Sequence, residues 1–122
     1  MIRRSALGLM AVGLAAIIAA CGSPAPQAPA PEASRLSDSL TSIAKDCGEA
    51  YQRREFAVSP PPLSRLEADA KSRVDVLSNV FRRNPEWIFQ GATVRQLVAL
   101  TRDYLRACDL RGAATRLTRE TR

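Results

Sequence analysis

The chain contains no histidine among its 122 residues, and no two of its cysteines have the CxxC spacing. Histidine is the commonest general base and a frequent metal ligand, so its absence weighs against most hydrolytic mechanisms and against the usual zinc sites. Without CxxC, the chain also lacks the usual signature of a thiol oxidoreductase. The sequence therefore predicts a protein that is not an enzyme and that needs no metal ion or cofactor.

The carboxylates suggest no alternative catalytic pair. Those of the central region lie among arginine and lysine on the faces that the pattern predicts to be polar, where a charged side chain is usually solvated. They are Asp38, Asp46, Glu49, Glu67, Asp69, Asp75 and Asp103. We therefore expect no general acid and base among them.

Charge is also missing from residues 6–20, an apolar stretch that follows Arg3 and Arg4. A basic start and an apolar stretch of about 7 to 15 residues form an export signal, whereas a membrane-spanning helix needs about 20 apolar residues. The end of this stretch, from Ile18 to Cys21 with Gly22 after it, has an aliphatic residue, two alanines and a cysteine. It resembles the lipobox of bacterial lipoproteins.

The resemblance implies that residues 1–20 are a cleaved signal peptide and that the thiol of Cys21 receives a diacylglycerol, with a fatty acid such as palmitate on the new amino terminus. The protein would then be anchored in a membrane of the bacterial cell envelope, facing away from the cytoplasm. In a cell with two membranes we expect the outer one, because Ser23, after Gly22, is not the aspartate that resembles an inner-membrane retention signal in such lipoproteins. In a cell with one membrane we expect the outer face of the cytoplasmic membrane. A plain secretory signal, or an uncleaved helix with a buried cysteine, is the alternative.

After Cys21 the sequence GSPAPQAPAPEA alternates proline with small residues. A segment so poor in large apolar groups is not expected to fold, and alternating proline favours polyproline II at about 3.1 Å per residue. Residues 21–33 should therefore be a tether that holds the domain about 35 Å from the bilayer.

With Cys21 assigned to lipid, Cys47 and Cys108 remain, an even number in a chain sent to an oxidising compartment. A structural disulfide between them is the prediction. Free thiols are the alternative, and a thiol redox protein would require one accessible cysteine with a lowered pKa.

Apolar residues recur at helical spacing in three stretches of residues 34–111. They predict an all-α domain with helices over about residues 35–56, 64–84 and 93–111. Connections of about 7 to 9 residues suggest a small up-down-up three-helix bundle. In that bundle the first and third helices are parallel, and the two cysteines lie at the same height to within about one helical turn.

Capping signals mark the expected helix ends. Ser64 with Glu67, and Thr93 with Gln96, have the spacing of a capping box. Gly112 is expected to end the third helix. Residues 112–122 would then be a basic, disordered tail that leaves the bundle opposite the tether.

Two features are candidate partner contacts. Trp87 and Phe89, in the loop EWIF, could anchor a partner protein or a glycan chain, or they could fold over the open end of the bundle. In the tail, Arg116, Arg119 and Arg122 suit the phosphate or carboxylate groups of an envelope protein or of an anionic wall or lipid polymer, or they merely keep a frayed end soluble. We expect no nucleic-acid binding, because the export signal sends the chain out of the cytoplasm and no aromatic residue interleaves with these arginines.

The sequence thus predicts a small non-catalytic, lipid-anchored envelope protein that acts as a structural or protein-interaction module. A ligand-binding or inhibitor lipoprotein is the alternative, and it would require a sizeable internal cavity. A thiol redox protein is a third and weaker interpretation.

Overall fold

The computed structural model describes residues 26–56 and 63–122, with only the backbone described at residues 53–56. These residues form four helices and one hairpin: α1 (Ala30–Phe56), α2 (Leu63–Arg83), β1 (Ile88–Phe89), β2 (Ala92–Thr93), α3 (Val94–Ala107) and α4 (Arg111–Glu120). The expected all-α class is confirmed. The predicted signal peptide, Cys21 and the first part of the tether lie outside the described residues.

Contacts near the helix ends give the helix directions. Arg83 at the end of α2 contacts Glu32 in the first turn of α1, so these two helices are antiparallel. Helices α1 and α3 are parallel, because the segments before them hydrogen-bond to each other and a disulfide joins Cys47 to Cys108 further along. Helix α4 runs parallel to α2, since their C-terminal ends are hydrogen-bonded to each other.

The core lies between the apolar faces of the four helices. Most residues of the three predicted stripes are buried in it, including Leu36, Ile43, Leu66, Ala70, Val74, Leu77, Val94, Val98 and Leu105. Tyr51 and Tyr104 continue the same helical spacing, but they are about half exposed. The periodic pattern therefore located the core faces correctly, but it also included residues at the edges of those faces that are partly exposed.

Helix α1 begins at Ala30, so the proline-rich tether is not unfolded up to residue 33. Pro29 and Pro31 are compatible with this start, because the first amides of a helix have no intrahelical partner and the φ of proline suits the first turn. Glu32 in the same turn is buried and paired with Arg83. A carboxylate also interacts favourably with the positive end of the helix dipole there.

The three residues that precede Pro29 are part of the fold as well. The amide of Ala28 donates to the carbonyl of Ile88 at 2.8 Å, and the amide of Ile88 donates to the carbonyl of Pro26 at 2.9 Å. Gln27 thereby pairs with Ile88 in an isolated parallel bridge beside β1. Folded structure is therefore present from Pro26, five residues after Cys21.

Helix α3 ends in a Schellman turn at Asp109, earlier than the predicted stop at Gly112. Asp109 has a φ of 71°, and its amide donates to the carbonyl of Arg106 at 3.1 Å, while the amide of Leu110 donates to the carbonyl of Leu105 at 2.9 Å. The two leucines are fully buried, as this motif favours. Aspartate tolerates the left-handed region better than most residues, so the chain can reverse here without glycine.

Residues 112–122 are not a disordered tail, because most of them belong to α4. Its buried face consists of Ala113, Ala114 and Leu117, and it packs against α2 and α3. Only one of these side chains is large, so the apolar pattern of the segment is weak and its arginines suggested a solvated, basic end. The described domain therefore has four helices, one more than the sequence predicted.

Glu67 and Gly112 have roles other than those predicted. Helix α2 begins at Leu63, so Ser64 lies inside its first turn. The Glu67 carboxylate accepts a hydrogen bond from the amide of Ala113 at 3.1 Å, which places a negative charge at the N-terminus of α4. A Cβ atom at residue 112 would collide with that carboxylate, so glycine permits the close approach.

The loop between α2 and α3 folds back as the hairpin of β1 and β2, in which Phe89 faces Ala92. Gln90 and Gly91 form its two-residue turn with φ values of 50° and 81°. Positive φ at both positions is the signature of a type I′ turn, whose twist matches that of paired strands. The strands are too short to give the alternating pattern from which a strand is predicted.

The predicted capping box at the start of α3 is confirmed. The amide of Gln96 donates to the Thr93 hydroxyl at 3.1 Å, and the amide of Thr93 donates to the Gln96 side-chain oxygen at 2.9 Å. Two of the unpaired amides at this helix start are thereby satisfied.

Candidate functional site

The disulfide joins the middle of α1 to the end of α3. The Cα atoms of Cys47 and Cys108 are 5.3 Å apart, and the two residues are 2% and 9% exposed. This is the pair that the sequence predicted. Burial of both residues weighs against a thiol redox protein, whose reactive cysteine must be reached by a substrate.

The EWIF loop lies at the opposite end, where α1 starts and α2 ends. Phe89 is only 8% exposed and belongs to the core, and Trp87 is partly buried against that core. The guanidinium of Arg83 lies over the indole, 6.0 Å from its centroid. Of the two aromatic residues predicted as partner contacts, only Trp87 therefore keeps part of its ring at the surface.

The three predicted contact arginines lie on α4 or just after it. Arg116 makes a bidentate pair with Asp75, with distances of 2.7 and 3.0 Å, and this hydrogen bonding raises the pKa of Arg116. Arg119 and Arg122 are exposed. Because α4 runs back along α2, these two lie at the same end as Trp87, not at the opposite end as a tail after three helices would.

A cleft between α1 and α2 contains a carboxyl group that the sequence pattern assigned to a solvated face. Asp46 is only 6% exposed, and its Oδ2 atom has no hydrogen-bond partner. The cleft has a volume of about 410 Å³ and is lined by Ser42, Lys45, Asp46, Glu49, Arg65, Leu66, Asp69 and Arg73. Both signs of charge thus surround a buried acid.

Burial raises the pKa of Asp46 to about 7. A hydrogen bond to Asp69 and the negative charges of Asp69 and Glu49 act in the same direction, and the positive charge of Arg73 opposes them. The Asp46 carboxyl group, with its pKa raised to about 7, is therefore mostly protonated in the folded domain in weakly acidic solution. The sequence could have indicated the burial of Asp46 through its position alone, since it directly precedes buried Cys47 and follows buried Ile43 by three residues.

An apolar surface, which we call the tyrosine face, lies beside the disulfide and consists of Gly48, Tyr51, Leu100 and Tyr104. The first two residues and Tyr104 line a groove between α1 and α3. Leu100 precedes Tyr104 by one helical turn, and the two are 63% and 48% exposed. A Cβ atom at Gly48 would meet no other group, so packing within the domain does not explain this helical glycine.

No protein family, curated protein or solved structure is significantly similar to this chain. Within residues 26–56 and 63–122, no helix is long and apolar enough to cross a bilayer. The same residues contain no cluster of three or more His, Cys, Asp or Glu side chains able to hold a metal ion. The surfaces that remain to be considered are the end with Trp87, the cleft of Asp46 and the tyrosine face.

Proposed function

We propose that this protein is a small, non-catalytic lipoprotein of the bacterial cell envelope, whose helical domain acts as a structural or protein-interaction module. Residues 1–20 would be its signal peptide and Cys21 its acylated residue, as the lipobox resemblance implies. The observation that carries the proposal is the buried disulfide between Cys47 and Cys108. Such bonds persist in oxidising compartments, which is where an exported lipoprotein resides.

The proposed location follows from the anchor. The domain faces away from the cytoplasm, on the outer membrane where two membranes exist and otherwise on the outer face of the cytoplasmic membrane. Several acyl chains on one residue hold a protein stably, because each buried methylene group contributes about 0.8 kcal/mol.

A contact role is supported by the tyrosine face. Leu100 and Tyr104 form an exposed apolar pair on α3, and removing their apolar surface from water would favour an interface. Tyrosine is also enriched among the residues that contribute most to binding. Gly48 leaves the facing surface of α1 open for close approach. We therefore propose this face as the contact with another envelope protein.

The intact mass of the mature protein, purified from the producing cells, tests the anchor. We expect a chain that begins at Cys21 and carries the added mass of a diacylglycerol and, where the host acylates the amine, a further fatty acid. Cys21→Ser is the matched control and should yield no acylated chain. An unmodified Cys21, or cleavage elsewhere, would contradict the proposal.

Crosslinking in cells tests the contact. Leu100→Gln should remove the main crosslinked protein, because it places an amide in the apolar surface. Ala68→Gln, at an exposed position of α2, should not, since α2 contributes no residue to this face. If both variants capture the same set as the wild type, the tyrosine face is not the contact.

A second candidate function, ligand binding, is favoured by the cleft of Asp46. Its volume of about 410 Å³ suits a small molecule, and its mixed charges would complement a zwitterion such as a free amino acid or a dipeptide. Thermal unfolding of the domain in the presence of such compounds tests this function. A rise in midpoint that Asp46→Asn abolishes would support it, and no rise with any of them would exclude this ligand class.

A further inference from the structure

The anchoring membrane lies close to one end of the domain if Cys21 is acylated as proposed. Pro26 is held by its hydrogen bond from Ile88, and it lies five positions after Cys21 in the sequence. Five residues span at most about 18 Å even when fully extended. The hairpin can therefore be no further than this from the lipid-bearing residue, about half of the 35 Å expected for a tether reaching residue 33.

The direction of the first described residues shows which part of the domain is nearest. The segment from Pro26 to Ala28 runs parallel to β1, so that Pro26 lies at the Trp87 side of the hairpin. Helix α4 returns to the same end, because Arg82 in the last turn of α2 is hydrogen-bonded to Glu120. We call this surface the hairpin end; its outward residues include Arg35, Arg83, Trp87, Arg95, Arg119 and Arg122.

Positive charge is in excess at the hairpin end. Six arginines (Arg35, Arg82, Arg83, Arg95, Arg119 and Arg122) face three glutamates (Glu32, Glu86 and Glu120), a difference of +3. Each glutamate has a close arginine partner, Arg83, Arg95 and Arg82 respectively. The excess therefore resides on the remaining arginines: Arg35, Arg119 and Arg122. Of these, Arg119 has within the described residues one ion-pair contact, at 4.0 Å from the already paired Glu120.

Trp87 suits the boundary between water and lipid. Its ring packs partly against the core, so it is held in place, and its remaining surface is open beside the guanidinium of Arg83. Tryptophan is enriched at the headgroup level of membranes because its ring is largely apolar and its indole N–H is polar. Arginines next to it add attraction to anionic lipids.

We propose that the hairpin end lies on the headgroup surface of the anchoring membrane, with Trp87 at the interface and the excess arginines against anionic phospholipid. The inference rests on the proposed acylation of Cys21, which limits the distance. The tyrosine face and the disulfide then lie further from the bilayer, since Cys47 is about 26 Å from the start of α1 along the helix axis.

Fluorescence of the mature, acylated protein in lipid vesicles tests this arrangement. Trp87 is the only tryptophan of the chain, so its emission reports on the hairpin end alone. Vesicles of phosphatidylglycerol and phosphatidylethanolamine, with some lipids spin-labelled at the headgroup, should quench most of this emission. The matched control combines Trp87→Phe with Tyr104→Trp, which moves the probe beside the disulfide, and it should be quenched several-fold less.

The arginines are tested by Arg119→Gln with Arg122→Gln. Each arginine near an anionic surface is worth about fivefold in occupancy, so the ratio of docked to undocked protein should fall about 25-fold and the quenching of Trp87 should decrease. With the wild type, neutral phosphatidylcholine vesicles should give at least as large a decrease, because they also remove the attraction to Arg35.

Two outcomes separate this inference from the proposed function. Acylated protein that sediments with the vesicles, but is quenched equally at the two probe positions or at neither, would overturn the orientation and leave the anchor intact. Protein with an unmodified Cys21 that fails to sediment would overturn both. Quenching that Arg119→Gln with Arg122→Gln leaves unchanged would overturn the role of anionic lipid.

Discussion

Replacing Asp46 by Asn should make the stability of the domain less dependent on pH. A carboxyl group whose pKa is higher in the folded than in the unfolded chain is protonated only in the folded state between those two values. Unfolding then releases a proton, so the free energy of unfolding falls as the pH rises through that interval. For Asp46 the interval extends from the ordinary value of 3.8 to about 7.

The size of the effect follows from that interval. At about 1.4 kcal/mol per pH unit, the full interval corresponds to about 4 kcal/mol. The cleft is open to water, which screens the charge of the carboxylate, so we expect about half of this, about 2 kcal/mol. Asparagine keeps a donor for Asp69 but does not ionise. Asp46→Asn should therefore match the wild type at pH 4 and be about 2 kcal/mol more stable at pH 8.

Urea unfolding between pH 4 and 8 measures this difference, using a soluble form that begins at Gly22. The two proteins are compared at each pH, so that carboxylates common to both cancel. Asp38→Asn, on the exposed side of the same helix, controls for the change in net charge and should shift the unfolding free energy by less than about 0.5 kcal/mol. A difference between Asp46→Asn and the wild type that stays constant from pH 4 to 8 would refute the reasoning.

Three further predictions concern the turn, helix α4 and the disulfide. Gly112→Ala should displace the Glu67 carboxylate from the Ala113 amide, and the loss of this cap, about 1 kcal/mol, should offset a similar gain in helix propensity. In a Glu67→Ala background, where there is no cap to lose, Gly112→Ala should stabilise the domain by about 1 kcal/mol. Thermal unfolding of the single and double variants measures this, and additive effects of the two substitutions would contradict it. Asp109→Gly should stabilise the domain by about 0.5 to 1 kcal/mol, because glycine adopts a positive φ without strain, whereas Asp103→Gly inside α3 should destabilise it by about 1 kcal/mol. Urea unfolding measures both, and a change of the unfolding free energy with the same sign at the two positions would argue against the Schellman turn. Reducing the disulfide, which joins residues 61 apart, should lower the free energy of unfolding by about 4 kcal/mol, and an unchanged urea midpoint in reductant would disprove its contribution.

Sequence patterns predicted those parts of the fold that depend on neighbouring residues. Both limits of α2 and the start of α3 are close to the predicted ones, because each helix has a continuous apolar stripe and α3 has its cap within three residues. Glu67 is a residue at which local spacing predicts the wrong hydrogen-bond partner. Its spacing from Ser64 fits a cap at the start of α2, yet the carboxylate binds the amide of Ala113, 46 residues later. A local motif does not show which distant amide will compete for the same oxygen.

The two ends of the domain were missed for related reasons. Pro29 and Pro31 looked like part of an extended tether, although the first turn of a helix is where proline is tolerated. Helix α4 has only ten residues and few large apolar side chains, so its stability comes from packing on α2 and α3 and not from its own propensity. The burial of Asp46 is likewise a tertiary property, since it depends on α2 covering that side of α1.

The disulfide has a further consequence for how the molecule responds to cleavage. Together with the backbone it closes a covalent ring from Cys47 to Cys108, which includes all of α2 and α3, whereas α4 begins three residues outside it. A protease that cuts once inside this ring leaves the two fragments joined as one molecule. A single cut between Pro26 and Asp46 instead divides the chain into two separate covalent pieces. On non-reducing electrophoresis, a cut inside the ring therefore leaves one band of full mass, whereas a cut before Cys47 gives two fragments.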